Sequence, residues 1–238
     1  MSSASYVSLS RQSGLLREMQ SVANNIANSS TTGFRREGLI FSEYVNALEP
    51  GEPSLSMASA DVRHIDTAQG PLSKTGGSFD FAIEGAGFFM LETVEGQQLT
   101  RAGSFTPSAD GELVAPDGAR LLDAGGAPIF VPPNARSMSL AADGTLSADG
   151  NPLTQIGLYL PADVNDISRR EGVRFAVEGD LLPAEDAVIL QGFVENSNVD
   201  PVLEIARMIE VQRAYEMGQQ FLDKEDQRIR SVMQTLGR

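Results

Sequence analysis

Carboxylates are the only abundant reactive groups in this chain, so they are the first place to look for chemistry. It has 32 Asp and Glu in 238 residues, a single histidine, His64, and no cysteine. Glu84, Glu92 and Asp110 could supply the acid and base of a glycoside hydrolase, which needs two carboxyls about 5–10 Å apart. With so many acids, some pair of that kind arises by chance. Four Asp-Gly pairs, at 110–111, 117–118, 143–144 and 149–150, hold the residue types of a calcium loop. None sits in the D-x-[DN]-x-[DN]-G spacing with a later Glu, so they read as hairpin turns. Gly85-Ala86-Gly87 lacks the third glycine of a dinucleotide loop and leads into the strand-like Phe88-Phe89-Met90-Leu91. His64, between Arg63 and Ile65, reads as a solvated side chain. Without cysteine there is no thiolate metal site, Cys nucleophile, iron–sulfur cluster or disulfide. The expectation is a protein that is not an enzyme, with no catalytic residue, no metal and no cofactor.

Amides are a different matter. Asn24, Asn25 and Asn28 crowd a turn and a half of sequence, followed by Ser29 to Thr32 and by Gly33-Phe34-Arg35-Arg36. Asn costs a helix several tenths of a kcal/mol (~0.5) relative to Ala. A terminating cap accounts for Asn28 and Gly33. Asn24 and Asn25 fit better as amides that fix register against a neighbour, the best-attested use of helix Asn.

These amides need a helix to hold them, and the flanking pattern supplies one. Leu9, Leu15, Leu16, Met19, Val22, Ala23 and Ile26 recur at helical spacing, with no proline between residues 15 and 28. A helix over about 4–28 would be roughly 37 Å long. At the other end, Asp200-Pro201 is an N-cap carboxylate followed by Pro at the first helical position. Met208, Val211, Tyr215, Gly218, Leu222, Glu225, Ile229, Val232 and Leu236 then follow in steps of three and four, seven of the nine apolar. Glu204–Arg207, Glu210–Arg213 and Asp226–Arg230 are spaced to pair along its surface. A helix of this length spans roughly 50 Å, longer than the core beside it, so its seam is expected to need a partner.

Between the helices the period falls to two. Short runs at Glu112–Ala115, Ile129–Val131, Ser137–Leu140 and Ile156–Leu160 alternate with the Asp-Gly turns. The fold class expected is α+β: N- and C-terminal helices, 1–36 and 197–238, forming a coiled coil, an all-β domain at 79–196, and an extended connector at 37–78 with room for one short hairpin. Pro50, Gly51, Pro53, Gly70, Pro71, Gly76 and Gly77 mark the connector. The net charge of −14 is concentrated in the middle: residues 1–36 carry four Arg against one Glu, and residues 37–196 hold 24 acids against eight bases. That balance argues against nucleic acid and anionic membrane as partners. No run approaches the ~18–20 apolar residues of a membrane span, and the first ten residues lack the features of a cleaved signal.

Five segments then carry a resemblance. Ala23-Asn24-Asn25-Ile26-Ala27-Asn28 with Thr31-Thr32-Gly33-Phe34-Arg35 resembles the N-terminal signature of the flagellar rod, hook and hook-associated axial proteins. Phe79-Asp80-Phe81-Ala82-Ile83-Glu84-Gly85-Ala86-Gly87-Phe88-Phe89 and Thr100-Arg101-Ala102-Gly103-Ser104-Phe105 are similar to the start of the β domain in its rod and hook branch. Glu195-Asn196-Ser197-Asn198-Val199-Asp200 and Met208-Ile209-Glu210-Val211-Gln212-Arg213-Ala214-Tyr215-Glu216 resemble its C-terminal signature. Length and a compact middle place the chain nearest the proximal-rod members, with the distal-rod members next.

The resemblance implies a structural subunit of the basal-body rod in the periplasm, exported without a cleaved signal through the flagellar export apparatus. Its partners would be other rod subunits, proximal and distal, with no membrane insertion. The expected subunit-interface residues are Leu16, Met19, Asn24, Asn25, Ile26, Asn28, Gly33, Phe34, Met208, Val211, Gln212, Arg213, Tyr215, Leu222, Ile229 and Val232. On this reading the ends order when they dock, since an isolated helix of such length is marginal in water. A rival of another class is a secreted β-rich adhesin, which would carry a ligand cleft within 79–196 and tolerate loss of 201–238.

Overall fold

The computed structural model describes residues 3–46, 55–163, 166–184 and 186–236, with two compact units among them. Pro50, Gly51 and Pro53 of the expected connector lie outside the described residues. One unit gathers the chain up to Ala27, residues 37–66 and residues 200 onward; the other gathers 28–36 and 67–199.

The first unit is built on two helices, α1 (Ser3–Ala27) and α2 (Pro201–Leu236). Asp200 starts α2 as its residue type predicts: its carboxylate Oδ1 accepts the amides of Val202 at 2.9 Å and Leu203 at 3.2 Å. Contacts between the helices run in opposite senses. Gln12 meets Tyr215, Glu18 meets Arg207 and Asn25 meets Glu204, so the pair is antiparallel. The expected connector holds the one hairpin it had room for, with longer strands: β1 (Glu37–Asn46) and β2 (Leu55–Ile65) pair antiparallel, with a bulge between Ile40 and Ser42. His64 sits exposed on β2, opposite Gly38.

Among the three surface pairs expected on α2, Asp226–Arg230 forms at 2.6 Å. Arg207 instead reaches across to Glu18, 2.5 Å away, and also holds Glu210 at 3.2 Å. Glu204 is drawn inward to Asn25, so neither of the other two expected pairs is the one made. A partner across the helix interface is less exposed to water than one along the surface and outcompetes it.

The second unit is all-β. Its main sheet of nine strands is antiparallel, with the strand Phe88–Thr93 at the centre, paired to Gly96–Thr100, Arg120–Leu121 and Leu158–Pro161. All four Asp-Gly turns form, each with its glycine at positive φ. At Asp149-Gly150 both residues are left-handed, φ 50° and 81°, giving the two-residue loop whose twist matches the flanking strands Thr145–Ala148 and Asn151–Gln155. The core is apolar and aromatic: Phe81, Ile83, Phe89, Leu91, Leu113, Leu121, Ile129 and Leu146 are fully buried, and the Phe105 ring stands edge-on to Phe89 at 5.7 Å. No helix is long and apolar enough to cross a membrane, and no cluster of metal-ligating side chains occurs among the described residues.

Candidate assembly interface

The heptad seam of α2 is the face turned toward α1. Glu204 and Val211 are buried there, and Met208, Tyr215, Gly218, Leu222 and Glu225 are half-buried. Facing them, α1 buries Gln12, Leu15, Glu18, Val22 and Asn25. Gly218 has a specific reason to lack a side chain, since a Cβ there would lie 2.1 Å from Gln12 Nε2, which donates to the Tyr215 carbonyl at 2.9 Å. The molecule thus covers part of the seam that the sequence alone leaves in need of a partner. Both helices come from one chain, and apolar spacing cannot say which surface does the covering.

Asn25 is the hub of this unit and is wholly buried. Its amide meets both backbone groups of Glu37 as a neighbouring strand would: Nδ2 donates to the carbonyl at 2.8 Å, and Oδ1 accepts the N–H at 3.0 Å. Nδ2 also donates to Glu204 Oε2 at 3.1 Å, so one side chain ties α1, β1 and α2. Sequence reasoning places Asn25 against a neighbouring subunit; here its hydrogen bonds are spent within the chain. Asn25→Leu removes three buried hydrogen bonds at once, and is expected to cost about 2–4 kcal/mol, read as a shift in the urea midpoint. Asn24 is half-buried in a polar groove with Arg17, Ser21, Glu37 and Arg63.

The remaining apolar residues of the helices are not enclosed. Leu9 and Leu16 are about half exposed and share a row with Ala23, each seven residues apart; Met19 and Ile26 flank it, half-buried. On α2 the seam continues past Glu225, where every described side chain is exposed. Ile229, Val232 and Met233 lie there, the last 68% exposed, because α1 begins at Ser3 and runs out opposite that point. The side chain of Leu236 lies outside the described residues. Gln212 and Arg213 point outward, and Gln212 Nε2 donates to Glu216 Oε1 at 3.2 Å.

Gly33 and Phe34 belong to the β unit and are buried in it, while Asn28 turns the chain after α1, its carbonyl accepting Thr31 N–H at 3.0 Å. Gly33 has φ 71°, and a Cβ there would lie 2.2 Å from the Ala102 nitrogen, so no other residue fits. Arg169 places its guanidinium 4.3 Å from the centre of the Phe34 ring.

Beside them lies a charge cluster that the sequence does not announce. Glu195 is 1% exposed and takes Arg35 at 2.8 Å on Oε1 and Arg101 at 3.1 Å on Oε2. Gly70 N–H donates to Oε1 at 2.8 Å, and the Glu195 carbonyl accepts Gly33 N–H at 2.7 Å. Burial pushes the Arg101 guanidinium down, Glu195 offsets part of that and Arg35 adds to it, leaving it lowered to about 10 and cationic at neutral pH. Asn198 completes the clasp, accepting Arg36 N–H at 2.6 Å and donating to the Ala68 carbonyl at 2.9 Å. The only sequence signal was indirect: Arg35, Arg101 and Glu195 each lie in one of the segments that carry the family resemblance.

Three family models match in chain order. "Flagella basal body rod protein" covers residues 6–35, "Flagellar hook protein FlgE/F/G D1 domain" residues 82–148, and "Flagellar basal body rod FlgEFG protein C-terminal" residues 190–235. The chain is 39% identical over 256 residues to the flagellar basal-body rod protein FlgF of Caulobacter vibrioides, covering 100% of this chain and 99% of that one. It is 40% identical over 225 residues to FlgF of Mesorhizobium japonicum, covering 91% and 90%. The flagellar basal-body rod protein FlgG of Agrobacterium fabrum is 31% identical over 257 residues, covering 92% and 93%.

Proposed function

The chain belongs to the flagellar basal-body rod protein family, whose members are structural, and from that premise we propose that it builds the proximal part of the rod, polymerising through α1 and α2. In the assembled rod the two helices form a coiled coil with those of neighbouring subunits. The observation that carries this reading is the apolar surface left on both helices: Leu9 and Leu16 on α1, and Ile229, Val232 and Met233 on α2. A contiguous apolar row on a long helix is costly to leave in water and marks an interface. Of the interface residues expected from sequence, Leu16, Met19, Ile26, Gln212, Arg213, Ile229 and Val232 are the ones we assign to contacts between subunits. Asn25, Gly33, Phe34 and Val211 serve the subunit's own fold.

Its partners are then other rod subunits and, before assembly, the flagellar export apparatus. A surplus of 16 acids over bases in residues 37–196 keeps free subunits apart by like-charge repulsion. In a deletion strain, basal bodies are expected to stop before the distal rod, with swimming restored by the full chain in trans. Complete rods in that strain would overturn the proximal assignment. A distal-rod role would instead leave the proximal rod intact and stop growth later. An adhesin would tolerate loss of 201–238, which rod assembly cannot.

A further inference from the structure

The helices also enclose an apolar groove, about 550 Å³, lined by Val7 and Leu15 on one side and Ala214, Met217 and Phe221 on the other. Met217 and Phe221 are large, apolar and at least half exposed. Gln12 lies in its floor. That side chain is 6% exposed, and while its Nε2 donates to Tyr215, its Oε1 is buried without a hydrogen-bond partner. A buried amide oxygen with no donor costs about 1–3 kcal/mol, so a site that keeps one is incomplete as it stands.

Resting on the rod reading above, we propose that this groove receives the C-terminal end of α2, residues 226–236, from a second copy of the chain. Three observations select that occupant. The exposed row Ile229–Val232–Met233 continues the seam that already packs on α1, so it carries the spacing that fits against these helices. Arg230 and Gln234 flank the row with side-chain donors that could reach an unmet acceptor. Arg11, exposed on the groove's rim, complements the acid Asp226 on the incoming tail. The contact is head-to-tail: groove and tail are different surfaces of the same molecule, so each copy that fills one groove offers another tail. Such contacts propagate rather than close into a dimer.

The test is photo-crosslinking in assembled basal bodies. p-Benzoylphenylalanine in place of Met217, and separately in place of Phe221, puts a reactive ketone in the groove at exposed positions. The expected product, read by mass spectrometry, joins the groove to a peptide from residues 226–236 of another copy. Met233→Asp in the tail should cut its yield at least tenfold. An adduct to a different polypeptide, to another part of the chain, or no adduct from either position in rods that contain the labelled subunit, overturns the groove assignment while leaving the rod reading intact. Absence of the unsubstituted chain from basal bodies overturns both.

Discussion

Glu195→Gln should lower the melting temperature of the β unit by roughly 6–20 °C, the largest stability loss we expect from any single change. Gln keeps the volume and one acceptor but removes the negative charge that Arg35 and Arg101 share, both almost wholly buried. Breaking a buried ion group by deleting one member costs about 3–5 kcal/mol, because the buried charges that remain lose the partner they share. For a unit of this size each kcal/mol is worth about 2–4 °C. Adding Arg101→Met should recover part of the loss, since it removes one of the two cations that Glu195 holds; calorimetry of the wild type and the three variants gives the coupling. Unchanged melting of Glu195→Gln would mean that water reaches the cluster.

The second large effect is on assembly alone. Ile229→Asp with Met233→Asp should abolish swimming while leaving circular dichroism and melting within about 0.5 kcal/mol of wild type, because both side chains are exposed beyond the reach of α1. Losing two buried apolar side chains at ~1.5–3 kcal/mol each weakens every subunit contact at least ~100-fold, before the cost of burying carboxylates is added. Val94→Asp, on the most exposed apolar residue of the β unit, is the control and should swim normally. Wild-type motility in the double variant would show that the end of α2 is not an interface.

These two cases mark what could be read from sequence. Period decided what was legible. Steps of three and four on α2 identify one face, and that face is the one that packs, from Glu204 to Glu225. Asp-Gly pairs place four turns, because a left-handed glycine is a local requirement. What stayed hidden depends on partners far along the chain. Asn25 signals an amide in need of a mate, but nothing local says that the mate is the backbone of Glu37 rather than a helix of the next subunit. Residues 37–78 left room for one short hairpin, but with few apolar residues in strict alternation neither its strand lengths nor its register could be read. Arg35, Arg101 and Glu195 are ordinary surface types by composition, and only folding reveals that they are buried together.

The clasp also imposes an order of events. Glu195 is synthesised after more than four-fifths of the chain. Until then the carboxylate that both guanidiniums share is missing, so the cluster cannot be completed. A nascent chain therefore keeps this part of the β unit open for most of its synthesis, and its late acid acts as the latch that closes it.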